Sequence, residues 1–366
     1  MSSQCENQEV RSGTALTRKH ALIAFPKTAR PHLLPTNIFF RDQVRWLRRA
    51  AHRHGIEVII DLESMCAFLR KGDAHATLRP QFLAHVDGQV RYVGAFIDEA
   101  IQFTGWRPVQ ADVVWPASTD KLVFKRAAAK LGITVPDYWL EGDQALTDVI
   151  VKRAVGSFGE QVHGPYRSSA ERPLRIELGE YYERFISGDL LKVWYWGSRA
   201  VGLECDPMPV VVGDGASSIR ELVLRRAQGP ILTEARIAKL LERCATVLAF
   251  DGASLADVLP AGQRQRVEFR YGSDVMSQRE RVLVDLRGQV DSQWQPLVEI
   301  APLLQRMIPD RLHERVLYAV DAVRDAEGRI FVLEMNSNPF VNPLAYEPML
   351  ASWLEQQGVA SAADVS

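Results

Sequence analysis

No run in this sequence is long and apolar enough to cross a bilayer; the longest hydrophobic stretches are strand-sized. Residues 1–18 are polar and lack an apolar h-region, which argues against a secretory signal. Cysteine is scarce. Cys5, Cys66, Cys205 and Cys244 lie far apart and form no CxxC pair, so neither a disulfide framework nor a thiolate zinc site is indicated. Basic residues are not in excess: 44 Lys and Arg against 45 Asp and Glu leave a formal charge of −1, which argues against nucleic-acid binding as a main activity. Histidine offers little. His52 and His54 stand two apart on one helix, a spacing that separates their faces and spoils a ligand pair; both are expected on its solvated side. No Ser/His or Cys/His arrangement points to a protein nucleophile. These absences describe a soluble, reduced, cytoplasmic protein with no nucleic-acid or membrane partner. Its 366 residues suffice for two or three packed units.

Along the chain, Ala21–Phe25 reads as a strand ended by Pro26. Phe40, Val44, Leu47 and Ala51 then recur at helical spacing, and Ile56–Ile60 is the next strand. Strand, helix and strand at this length predict a βαβ unit and hence a parallel sheet. A second region opens at Ser118-Thr-Asp-Lys121, with a helix to Leu131 stopped by Gly132. Strands are expected at Leu146–Lys152 and Tyr181–Ile186, and a hairpin at Leu190–Trp196 and Ala200–Glu204 about Gly197 and Ser198. Ser218 and Glu221 have capping-box spacing. Further helices are expected at about 233–248, 312–318 and 345–356.

The most informative segment is Ile330–Pro339, reading Ile-Phe-Val-Leu-Glu-Met-Asn-Ser-Asn-Pro. A strand puts Glu334 and Asn336 on one face. Asp321 lies on a second apolar stretch, Val316–Val323, with a turn at Asp325–Gly328 between them. Two carboxylates and an amide oxygen, with no nearby Cys or His, are hard ligands that suit Mg²⁺ held against phosphates. The bland alternative is a hairpin whose polar residues face water. Gly156-Ser-Phe-Gly159, shortly after Lys152, is a phosphate-cradle candidate, because glycines let backbone N–H groups approach phosphate oxygens and the lysine adds compact positive charge. It is neither a Walker loop nor Gly-x-Gly-x-x-Gly, and a plain β-turn is the competing reading.

Taken in order, Asp120-Lys121, Val149-Ile-Val-Lys152 with the glycine loop, Glu183-Arg-Phe-Ile-Ser-Gly188-Asp189, Asp321 and Glu334-Met-Asn336-Ser-Asn-Pro339 resemble the ATP-grasp superfamily over about residues 118–345. Val212–Leu222 and Ala256–Arg270 are similar to the ATP-grasp module of cyanophycin synthetase and of bifunctional glutathione synthetases; D-alanine–D-alanine ligase is more distant. The resemblance implies an α/β (α+β) ATP-grasp fold. Residues 1–18 read as a disordered leader and 359–366 as a tail, and the resemblance implies an N-terminal parallel α/β domain (19–117), a central lid (118–187) and a C-terminal catalytic subdomain (188–358). It assigns Lys121 and Lys152 to the phosphates of ATP, with Gly156, Ser157 and Gly159 in the cradle. Glu183 falls at the adenine end, where the backbone of Arg184, Phe185 and Ile186 would pair with the base, and Asp189 falls at the ribose. Asp321, Glu334 and Asn336 become ligands of Mg²⁺, or of Mn²⁺. Arg270 and Lys152 become catalytic, Arg270 beside the transferred phosphoryl group; a salt-bridged strand residue is the competing reading for Arg270.

Lys192 stands where such modules usually carry Arg, and three further departures stand out. Arg153 replaces a usual Pro, Gln161 a common Gly, and Phe340 the Gly that usually follows Asn-x-x-Pro. His163, just past the loop, is expected to be exposed on the lid. The function implied is an ATP-dependent carboxylate–amine ligase working through an acyl phosphate on small-molecule acid and amine partners, with a homodimer as the expected assembly. A small-molecule kinase and a non-catalytic nucleotide- or peptide-binding module are the alternatives.

Overall fold

The computed structural model describes residues 34–87, 89–97, 100–108, 113–141, 145–156, 161–227, 233–276, 280–313 and 315–358. It is a mixed α/β structure in which, among the described residues, every strand pairing is antiparallel. The described residues divide into two compact units, one of residues 34–113 with 349–358 and one of residues 114–348. None of its described helices is long and apolar enough to cross a membrane.

The first unit carries helix α1 (Leu34–Arg53) and strands β1 (Glu57–Ile60), β2 (Ala67–Lys71), β3 (Ala74–Val86), β4 (Gln89–Val93) and β5 (Ala100–Arg107). Strand β3 is the hub, pairing with β2, β4 and β5. The apolar stripe of α1 is buried as its spacing requires, with Phe40, Val44, Leu47 and Ala51 all at or below 5% exposure. Phe40, Phe82, Phe103 and Trp106 form its aromatic core, with ring centroids 4.7–5.5 Å apart.

The parallel βαβ unit expected here is corrected. Ile56–Ile60 does form a strand, but β1 runs antiparallel to β2 after a six-residue link (61–66), too short for the crossover a parallel neighbour needs. The expected strand Ala21–Phe25 lies outside the described residues. His54 is corrected too: it is buried near the end of α1, at 4% exposure, while His52 is exposed. Cys66, Cys205 and Cys244 are buried thiols, none of them in a disulfide.

The second unit opens with α2 (Pro116–Thr119) and α3 (Lys121–Lys130), both against the last strand of the unit. Strands β6 (Tyr138–Trp139), β7 (Thr147–Arg153), β8 (Val162–Ser168) and β9 (Glu180–Arg184) make a four-stranded sheet ordered β6-β9-β7-β8. The hairpin expected about Gly197 is β10 (Gly188–Trp196) and β11 (Arg199–Asp206). Gly197 has φ +54°, and a side chain there would meet the His313 carbonyl at 2.6 Å, which only glycine avoids. A short pair, β12 (Val210–Val212) and β13 (Arg264–Arg266), packs near α4 (Ile219–Arg226) and α5 (Glu234–Phe250). The Ser218–Glu221 capping box is formed at α4. Strand β14 (Val282–Asp285), the short helices α6 (Gln295–Glu299) and α7 (Ala301–Gln305), β15 (Leu317–Asp325), β16 (Ile330–Asn336) and α8 (Tyr346–Gln356) complete the chain.

The main sheet has the order β14-β11-β10-β15-β16. Strand β15 is buried along nearly its whole length, the property its continuous apolar run anticipates. A helix over 312–318 is not formed: Asp310–Leu312 is a single 3₁₀ turn and β15 starts at Leu317. Tyr318 stacks on Tyr195 of β10 at 5.3 Å, so those residues serve the sheet core.

Candidate functional site

The hairpin β15–β16 brings the two expected acids face to face. Asp321 pairs directly with Glu334, and Ala319 with Asn336. The register shifts by one residue between Asp321 and Ala322, leaving Leu333 as the extra residue of a bulge. Val332 and Met335 are both buried while Glu334 and Asn336 stay partly open. Asn336 Nδ2 donates to Asp321 Oδ2 at 3.1 Å.

The neighbouring strands extend this pair into a charged row. Lys192 of β10 stands opposite Asp321, and Glu204 of β11 stands opposite Lys192. Across four strands the row reads Glu204, Lys192, Asp321, Glu334, at the ~4.8 Å spacing of a sheet. Lys192 Nζ lies 2.8 Å from Asp321 Oδ1, and Lys121 Nζ lies 3.0 Å from Glu334 Oε2. Lys121 also donates to the Gly156 carbonyl at 2.6 Å. Its place is set by Asp120, which caps α3 by accepting from Leu122 and Val123 N–H, and by Lys121 N–H donating to Ala154. The two acids diverge. Burial raises the Asp321 carboxyl, and Glu334 adds to this against the opposing Lys192. Burial also works against charge on Glu334, but Lys121 and Lys152 outweigh it and hold that carboxyl down.

A second buried cluster adjoins the row. Lys152 on β7 stands opposite Tyr181 on β9, and Glu183 is two residues further on the same face. Glu183 Oε1 lies 2.8 Å from Lys152 Nζ, and Oε2 lies 2.8 Å from Lys125 Nζ, one helical turn beyond Lys121. Burial opposes charge on all three. Two ammonium groups hold Glu183 down; Glu183, Glu334 and Asp321 hold Lys152 up; Lys125, with Lys152 close by, is pushed down. Apolar side chains in place of a buried ion triad are often neutral or stabilising by 1–4 kcal/mol. A triad beside a second perturbed pair therefore points to function rather than to stability.

Other expected site residues lie apart from the row. Asp189 pairs with Arg324, Nη2 to Oδ2 2.6 Å. Strand alternation puts both on the sheet face opposite Lys192 and Asp321. Arg184 is exposed and paired with Asp137; its N–H donates to the Asp137 carbonyl, and Phe185 N–H donates to Asp148. Phe185 is buried with Phe250 and Phe269, and Ile186 is half-buried. Ser157 and Gly159 lie outside the described residues. Arg270 is buried against Glu268, and its Nε donates to the Val162 carbonyl at 3.0 Å, contacts that tie β8 to the segment before Arg270. His163 is half-buried on β8 rather than exposed.

Sequence reasoning did not single out Lys125, Glu204, Tyr271 or Arg281. The Tyr271 ring lies 5.1 Å from Lys192 Nζ, and its hydroxyl donates to Glu204. Arg281 bridges Glu204 at 2.8 Å and Asp206 at 3.0 Å. Lys125 carried a signal in its i, i+4 relation to Lys121 beside Phe124; Glu204 joins through strand pairing, and Tyr271 and Arg281 reach it from outside the strands, through side-chain contacts between residues far apart in the chain.

The donor set fits a hard divalent cation. Asp321 and Glu334 oppose one another with Asn336 alongside, and all three offer oxygen. Among the described residues no three of His, Cys, Asp and Glu gather into a metal site, so a cation here would complete its shell with phosphate and water oxygens.

No protein-family model and no curated protein matches the chain. It is similar in structure to the bifunctional glutathione synthetase from Pasteurella multocida, at 14% identity and a TM-score of 0.40, over 86% of this chain and 43% of that one. The chain therefore spans less than half the length of that relative. It is similar to D-alanine–D-alanine ligase from Bacillus anthracis at 13% identity and a TM-score of 0.33, over 68% of each chain. It is also similar to the ATP-grasp ligase PsnB complexed with minimal precursor, at 11% identity and a TM-score of 0.32, over 66% of this chain and 61% of that one.

Proposed function

We propose that this chain is an ATP-dependent carboxylate–amine ligase of the ATP-grasp type, acting on a small-molecule acid and amine. The observation that carries this is the single register row of Lys192, Asp321 and Glu334, closed by Lys121 and flanked by Lys152. A surface hairpin has no use for two opposed acids held among three lysines in a shielded place. Asp321, Glu334 and Asn336 would hold Mg²⁺, which when bound neutralises charge on the phosphates. Lys121 and Lys152 come from two different elements, the start of α3 and the end of β7. Both can exchange their carboxylate partners for phosphate oxygens. In the reaction, an oxygen of the substrate carboxylate attacks the γ-phosphorus, and the bond to the β-bridging oxygen breaks to release ADP. An amine nitrogen then attacks the carbonyl carbon of the acyl phosphate, phosphate leaves, and the nitrogen loses a proton. No protein nucleophile is needed. Fixed positive charge at Lys152 and Lys121 stabilises the transferred group.

The test is product analysis with ATP, Mg²⁺ and mixed amino acids and dipeptides. ADP with an amide product supports the ligase. ADP with a phosphorylated acceptor shows a kinase, and nucleotide binding without ADP shows a binding module; either result overturns the proposal.

A further inference from the structure

Lys152 and Arg153 are neighbours on β7 and therefore point to opposite faces of the four-stranded sheet. Lys152 belongs to the cluster around Glu183. On the other face, Arg153 stands opposite Glu180 of β9, and His163 of β8 stands opposite Val151. The stretch after β8 carries Arg172 and Arg175 onto the same Glu180. Arg172 Nη2 lies 2.9 Å from Glu180 Oε1 and 3.1 Å from Oε2, Arg175 Nη2 lies 2.9 Å from Oε1, and the Arg175 backbone N–H donates to Oε2 at 2.8 Å. Glu180 is buried and its acceptor capacity is taken up by these two arginines. Arg153 Nε is buried too, and among the described residues it has no hydrogen-bond partner. Of the nearby acids, Glu171 is turned onto Ser168 N–H, which donates to it at 2.9 Å; Glu177 lies on the next 3₁₀ turn. Two guanidiniums thus converge on one shared carboxylate, and Arg153 stands across from it in register with its Nε unpartnered. The field is felt by His163, whose imidazole is held below its ordinary range by burial and then by Arg172, Arg270 and Arg175, with Glu180 opposing.

We propose that Arg153, Arg172 and Arg175, with His163 at the edge, form a binding site for a multivalent oxyanion on the sheet face opposite Lys152. Guanidinium forks match the paired oxygens of phosphate and carboxylate groups, and a charge-assisted hydrogen bond would satisfy the buried Arg153 N–H. The site is separate from the Asp321–Glu334 row and does not depend on the ligase reading.

His163 is the reporter. An anion seated among the arginines offsets their field and raises the His163 pKa. The experiment is an NMR pH titration of the full chain, with the His163 resonance assigned by His163→Gln. It is run with inorganic phosphate, with citrate, and with chloride at matched ionic strength. The expected result is a saturable upward shift with phosphate or citrate and none with chloride. The concentration for half the shift should rise at least about tenfold in Arg153→Gln, the scale of losing one charged hydrogen bond. Arg175→Gln, at a half-exposed side chain, gives a second variant that should weaken the shift in the same direction. Whichever of phosphate and citrate acts at the lower concentration identifies the source of the oxyanion. Glu334→Gln should keep the shift. An equal response to chloride, an unchanged response in both arginine variants, or its loss in Glu334→Gln would overturn the proposal.

Discussion

Glu183 has one oxygen committed to Lys152 and the other to Lys125, all three away from water. Glu183→Gln would leave two buried ammonium groups without their counter-charge. It is expected to cost about 3–5 kcal/mol in urea unfolding at pH 7, the scale of breaking a buried pair. Because folding depresses the Glu183 carboxyl, its contribution is fully present above the unfolded value of about 4.3. It is lost as pH falls through the lower folded value. The stability gap between wild type and Glu183→Gln should therefore be widest at neutral pH and close as pH drops below about 5. Lys152→Met is a gentler change, since Lys125 still holds Glu183. It should fold, bind ATP more weakly and lose turnover by at least ~10²-fold, the scale of removing one charge-stabilising donor; wild-type ADP release would show that Lys152 only braces Glu183. At Arg270 two outcomes separate two roles. The buried Glu268 pair and the Val162 carbonyl contact lead us to expect stability and activity to fall together in Arg270→Ala; lost turnover at unchanged stability would restore the arginine to the phosphoryl group. At this scale the sequence was most legible where chemistry and spacing coincide, as at Glu334 and Asn336 two residues apart on a strand. It was least legible where one residue of phase decides a face. Asp189 follows Gly188 as the motif asks, yet pairing with Arg324 places it on the far side from Lys192.

Helix α3 supplies both Lys121 and Lys125, and Asp120 fixes where it begins. Asp120→Ala should cost roughly 0.5–2 kcal/mol for the lost cap, and activity should fall because both lysines move with the first turn. Ser218→Ala removes a comparable cap from α4, whose buried residues Ile219 and Val223 sit in a separate core cluster. It should cost a similar amount by thermal melting while leaving ADP release unchanged. Equal activity losses in the two variants would mean that general stability, not placement of the lysines, sets the rate. Most elements could be read from local pattern: the stripe of α1, the hairpin about Gly197 and the buried run of β15 all form where periodicity put them. Strand partnership could not. Ile56–Ile60 reads equally well as a parallel or an antiparallel strand, and the short link to β2 settles it as antiparallel. The bulge at Leu333 is likewise absent from any local signal, because it depends on how β16 meets β15.

At the scale of the whole molecule, residues 349–358 belong with the first unit, a return that no local pattern announces. An amphipathic C-terminal helix shows that it is covered, not by what. What the second unit assembles is a row of charges from four strands and a helix, proposed to hold Mg²⁺ against ATP. The most direct test titrates Mg²⁺ against ADP release in wild type, Glu334→Gln and Glu327→Gln. Glu327 lies on the turn before β16 and pairs with Arg329, where both side chains are largely exposed. Glu334→Gln keeps size and hydrogen bonding but removes one of two opposed charges. Its Mg²⁺ midpoint should rise by more than about tenfold, since loss of even an outer partner costs 10–100-fold in metal affinity, and Glu327→Gln should match wild type. A midpoint for Glu334→Gln equal to that of wild type would contradict the metal site and the ligase built on it.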